Sequence, residues 1–140
     1  MNGNPTVSPA VVSLTIPAMP EFVGVARLAV LGVASRMKFT YDEVEDLRLA
    51  VGEACTGAIE RAAQAATASS VRINCLMDEE LLTVEVHDNV PAVASAPASG
   101  DTFEPENISA LLMEILVDGV SVTQDPGGGT VVTLVKKSGQ

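Results

Sequence analysis

The chain has 140 residues, with eight Lys and Arg against 18 Asp and Glu for a formal charge of −10, and it is 47% hydrophobic with three Phe, one Tyr and no Trp. That length is enough for one domain with its own core, and the core must be aliphatic. So acidic a chain with so few aromatic rings is poorly suited to nucleic acid, which needs cations for its phosphates and platforms for its bases; the charge suits solubility or a basic protein partner.

Cys55 and Cys75 lie in apolar, periodic segments and read as buried free thiols of a reducing compartment, since two cysteines make no disulfide framework. No basic n-region followed by an apolar run opens the chain, and the longest apolar stretch, VGVARLAVLGVA, is too short for a bilayer and holds Arg27. A cytoplasmic protein is expected, with neither membrane nor nucleic acid as a partner.

Residues 1–9, MNGNPTVSP, read as disordered, and a single domain is expected over 10–137. AVVSLTIPA (10–18) is a β-branched, alternating strand closed by Pro17. PEFVGVARLAVLGVASRMKF starts with a proline suited to a first helical turn and stays apolar to Met37, which predicts a helix buried on most of its circumference. The second helix, TYDEVEDLRLAVGEACTGAIERAAQAA, opens with a Thr40–Glu43 capping box, and Asp42, Glu45 and Asp46 add the negative charge that a helix start favours. The same acidic run could also face a basic partner. Val44, Leu47, Val51, Cys55, Ala58 and Ala62 share its core stripe, with Asp46, Ala50, Glu53, Gly57 and Glu60 roughly opposite. Gly52 and Gly57 cost this helix roughly 1 kcal/mol each relative to alanine, so they need a reason.

SVRINCLM and LLTVEVHD, joined across Asp78-Glu79-Glu80, form an antiparallel hairpin. Residues 89–107 are rich in Pro, Ala, Ser and Gly without periodicity, as a functional or unstructured loop would be. ISALLMEILVD is a short amphipathic helix, and VSVTQD and TVVTLVKK flank DPGGG as a last hairpin. The glycine run lacks the Lys-Ser/Thr of a phosphate loop and sits between strands, so it reads as a turn. His87, with no second candidate ligand nearby, is no metal site. This order of elements predicts an α+β two-layer sandwich, a mixed or antiparallel sheet covered on one face by helices.

PEFVGVARLAVLGVASRMKFTYDEVEDLRLAVGEACTGAIERA closely resembles the N-terminal half of the anti-sigma factors that are also serine protein kinases, the anti-sigma-B type, and the likeness returns at LLMEILVDGVSV and in the last strand. The resemblance implies the Bergerat fold of histidine-kinase-like (GHKL) ATPases, a role in bacterial stress or developmental signalling, and a lid loop over ATP, here shortened to 89–107. In that family a glutamate acts as general base toward a partner's serine, and an asparagine one turn later holds the magnesium that bridges the ATP phosphates. Glu53 matches the glutamate; Gly57 stands where the asparagine would be. Asp88 in HDNVPAV matches the aspartate that receives the adenine amino group, but Val90 and Ala92 fill the two glycine positions, with Pro91 between them. NISALLMEIL replaces a glycine-bearing run that receives phosphates at a helix start, with Ser109 and Ala110 at the small positions.

Taken without the resemblance, Glu53 is a solvated helix residue and Asp88 a turn residue. With it, the expected function is a regulatory protein that binds an alternative sigma factor, an anti-anti-sigma protein of STAS type, or both, as a homodimer whose two-fold interface lies near the first strand and helix. The three altered motifs imply that ATP binding and kinase activity are lost or weak, and that no cofactor is carried. The alternatives are an active ATP- and Mg²⁺-dependent serine kinase with Glu53 as base, and a non-catalytic dimeric subunit of a signalling assembly.

Overall fold

The computed structural model of the chain describes residues 10–66, 70–90 and 105–139, with side chains from 108 onward in the last segment. Residues 1–9 and 91–104, where the disordered terminus and most of the lid are expected, lie outside the described residues.

Five strands, β1 (Ala10–Pro17), β2 (Ser70–Asp78), β3 (Leu81–Asp88), β4 (Gly119–Gln124) and β5 (Thr130–Lys137), make one sheet in the order β1-β2-β3-β5-β4. Every pairing is antiparallel, which decides between the mixed and antiparallel alternatives. Alternation sets the faces: Val71, Ile73 and Cys75 of β2, Leu82, Val84 and Val86 of β3, and Val132 and Leu134 of β5 are buried beneath the helices. Glu79 and Glu80 turn the β2–β3 hairpin. Asp125–Gly129 turns the last one, through hydrogen bonds from Gly128 N to Asp125 O (2.8 Å) and from Asp125 N to Gly129 O (2.9 Å). Gly128 and Gly129 take φ of 108° and 107°, backbone that side chains rarely adopt, so the glycine run is a turn.

A 3-10 turn (Pro20–Phe22) leads into α1 (Val23–Ala34), α2 spans Tyr41–Ala65, and α3 spans Pro105–Leu116. The capping box forms as expected: Glu43 N donates to Thr40 Oγ1 (3.1 Å) and Thr40 N to Glu43 Oε1 (2.8 Å). Two expectations need correction. α1 ends three residues before Met37, and it is buried on one side only: Ala26 and Val30 are fully enclosed, while Leu28 is 70% exposed. Ala50 belongs to the core and not to the outer face of α2, because α2 lies between α1 and α3 and buries more than a single stripe.

Gly52 also finds its reason here. A Cβ at that position would stand 2.5 Å from Nη2 of Arg27, so the missing side chain lets the α1 arginine lie against α2. The two thiols are buried and free, and burial raises the Cys55 pKa to about 12 and that of Cys75 to about 11. No helix among the described residues is long and apolar enough to cross a membrane.

Candidate functional site

The capping box fixes the start of α2, and from there the helical repeat carries Glu53, Gly57 and Arg61 along one side, successive turns apart. These three residues face the C-terminal end of β3 and the N-terminal part of α3.

Asp88, the last residue of β3, points to the helix side, and its side chain is wholly inaccessible. Both oxygens of its carboxylate accept hydrogen bonds. Oδ1 accepts from the backbone N–H of Val90 (3.0 Å) and of Thr130 (3.1 Å), and Oδ2 accepts from Nε of Arg61 (2.8 Å). The Arg61 side chain is 23% exposed, and its Nη2 is buried with no acceptor among the described residues. Gly129 packs closely against the end of β3: a Cβ there would collide with the carbonyl oxygen of Asp88.

Glu53 is half-buried, and its Oε1 accepts the hydroxyl of Ser109, in the first half of α3, at 2.6 Å. The other end of α3 is pinned as well: Nζ of Lys136 donates to Leu116 O (2.8 Å). Gly57 has open space except toward Arg61, whose Nη1 would lie 3.6 Å from an added Cβ. The glycine therefore borders the arginine that reaches back along the helix.

Glu53, Gly57, Asp88 and Ser109 thus line the same end of the helix–sheet interface, together with two residues that the sequence reading passed over, Arg61 and Thr130. A signal for Arg61 existed: it is the only basic residue in the second half of α2, four residues after Gly57 and eight after Glu53. Its partner, 27 residues away, could not be read from helical spacing. Val90 is buried and supplies a backbone donor, while Pro91 and Ala92 lie outside the described residues. His87 sits on the opposite sheet face, 3.2 Å from Glu85 through Nε2.

A helical layer over a sheet, with an acidic helix residue facing a strand-end aspartate, defines a class. The model of the histidine kinase-like ATPase domain matches residues 16–136, and the chain belongs to that family. Among curated proteins it is similar to the serine-protein kinase RsbW of Bacillus subtilis, 37% identical over 131 residues that cover 86% of this chain and 81% of that protein. RsbW of Bacillus licheniformis is 33% identical over 127 residues (83% and 79%), and RsbW of Listeria monocytogenes 32% over 133 residues (87% and 85%). The anti-sigma factor and serine kinase resemblance is therefore correct at the level of the family. The fold matches the crystal structure of the RsbU and RsbW domains of Rv1364c from Mycobacterium tuberculosis, with a TM-score of 0.64 and 16% identity, over 91% of this chain and 32% of that one.

The family implies ATP and Mg²⁺, and the residues present do not fit them in this arrangement. Adenine needs a carboxylate oxygen its amino group can reach, yet the Asp88 side chain is wholly inaccessible and the Arg61 guanidinium sits on its Oδ2. Magnesium needs hard oxygen ligands, and Gly57 has no side chain to supply one. Glu53, one turn before Gly57, is bonded to Ser109.

Proposed function

We propose that this chain is a cytoplasmic anti-sigma-type regulator that holds an alternative sigma factor, an anti-anti-sigma protein of STAS type, or both, and that its ATP binding and phosphoryl transfer are weak or lost. The observation that carries this reading is the Asp88–Arg61 ion pair, which puts an internal cation on the group that would recognise the base. A binding role is also supported by the surface of α3, where Ile108, Leu111, Leu112 and Ile115 all stand in solvent at i, i+3, i+4 and i+7. Homodimerisation through β1 and α1 is part of the proposal: Val11, Val12, Val25 and Leu28 are exposed there, and β1 is an edge strand.

One observation favours the alternative of an active kinase. Glu53 accepts a serine hydroxyl at 2.6 Å, the contact a general base makes with a nucleophile before taking its proton. Size-exclusion chromatography of the purified chain with the sigma factors and STAS proteins of its host, with and without labelled ATP and Mg²⁺, separates the two. A stable complex that needs no nucleotide, with no label on the STAS protein, is the expected result. Mg²⁺-dependent label on a STAS serine would overturn it.

A further inference from the structure

We infer that Arg61 is a built-in occupant of the base site, so that its release from Asp88, and not only repair of the metal position, governs whether this cleft takes a nucleotide. The inference deepens the proposed function and rests on it.

Three features point this way. The ion pair joins the middle helix to the end of the central strand across 27 residues, and it meets the carboxylate on Oδ2, the oxygen that no backbone donor uses. Val90 N and Thr130 N hold Oδ1, so the carboxylate is oriented by the backbone whether or not Arg61 is present. Removing the guanidinium therefore leaves an oriented acceptor, the feature that a purine's exocyclic amino group requires.

The second feature is Gly57. An added Cβ would lie 3.6 Å from Nη1 of Arg61, in ordinary van der Waals contact, so the guanidinium runs alongside the position where the family carries its metal ligand. The position that offers no metal ligand is thus also the one the arginine lies beside.

The third is the cost of the closed arrangement. Nη2 of Arg61 is buried without an acceptor among the described residues, and a buried unpaired donor is unfavourable. Arg61 is therefore held by one good contact while another of its donors goes unmet, which suits a displaceable group better than a fixed strut. The Ser109–Glu53 hydrogen bond is a second tie across the same end, joining α2 to α3.

The test is adenosine in Mg²⁺-free buffer, which probes the base site without the metal defect at Gly57. Calorimetry and amide NMR, followed at Val90 and Thr130, compare the parent chain with Arg61→Met, which keeps the apolar stem and removes the donors. If the site is open in only a small fraction of molecules, apparent affinity is reduced by that fraction. Arg61→Met should then bind adenosine roughly tenfold or more tightly than the parent, with the Val90 and Thr130 amides shifting on titration. Arg61→Gln, neutral but still a donor, should show a smaller gain, and it carries the comparison should Arg61→Met fail to fold. Folded variants with the parent's affinity would overturn the inference and leave the proposed function standing, since other defects would then account for weak binding. Tight ATP·Mg²⁺ binding by the parent would overturn the proposed function, whereas the ratio of variant to parent alone decides the role of Arg61.

Discussion

The two halves of α2 are anchored by different physics. At the N-terminal end, Thr40 and Glu43 exchange exposed hydrogen bonds between residues three apart. Ser138 Oγ donates to Lys38 O just before the helix, and Lys136 approaches Asp46 at 3.8 Å. In the other half, Arg61 and Glu53 bind Asp88 and Ser109 across 27 and 56 residues, with the Asp88 carboxylate wholly buried. There the groups that hold the fold together are the groups the family would use for chemistry. A helix can thus be secured cheaply where solvent shares the load, while its buried polar half is costly to disturb.

The core beneath both halves sets the baseline. Burial raises the Cys55 pKa to about 12 and that of Cys75 to about 11, against an ordinary 9.0. Above pH 9 the unfolded chain loses these protons while the folded chain keeps them, so stability falls with rising pH until the folded pKa values are passed. Each thiol contributes up to roughly 1.4 kcal/mol per pH unit in that window. Urea midpoints between pH 8 and 11 should fall more steeply for the parent than for a Cys55→Ala, Cys75→Ala variant.

Breaking the buried end comes next in size. Asp88→Ala strands a largely buried guanidinium and two backbone donors, and should cost about 3 kcal/mol or more in urea denaturation. Gly129→Ala attacks the same point from below. It forces a side chain onto backbone at φ 107° and against the Asp88 carbonyl, with an expected loss of about 2–3 kcal/mol. At the other end of α2, Thr40→Ala should cost only about 1 kcal/mol, because an exposed cap is partly replaced by water. A Thr40→Ala effect as large as that of Asp88→Ala would erase the distinction between the halves.

The same contrast explains what could be read from the sequence. The capping box was legible because it is local: Thr and Glu three apart before an apolar run have few other readings. The hairpins were legible from alternation and turn residues, and the glycine run was correctly separated from a phosphate loop. Glu53, Gly57 and Asp88 were singled out by likeness to a family; the structure sets the first two one turn apart on α2 and the third at the end of β3, against Arg61. The partners of Glu53 and Asp88 were not legible, since nothing local ties Arg61 to a residue beyond the next strand. Apolar content also overstated the burial of α1, because a run of apolar residues does not say how many neighbours surround a helix; α1 has α2 and the sheet, and Leu28 is left exposed.

The finest test of the comparison lies in α3, which is tied by two hydrogen bonds of opposite character, one from Ser109 in its first half and one to Leu116, its last residue. Ser109 reaches a half-buried carboxylate that can turn back to water, while Lys136 meets the carbonyl of Leu116 from a largely buried position. Ser109→Ala should therefore cost about 1 kcal/mol or less globally. Its effect should be local: amides in the first half of α3 should exchange about fivefold faster, the equivalent of 1 kcal/mol of opening, while Val117, bonded to Met113 O at 3.0 Å beside the lysine, stays at its parent rate. Equal acceleration along the whole helix would mean that α3 opens as a unit, and that the Ser109–Glu53 contact is one more strut of the scaffold and not a separable tie across the cleft.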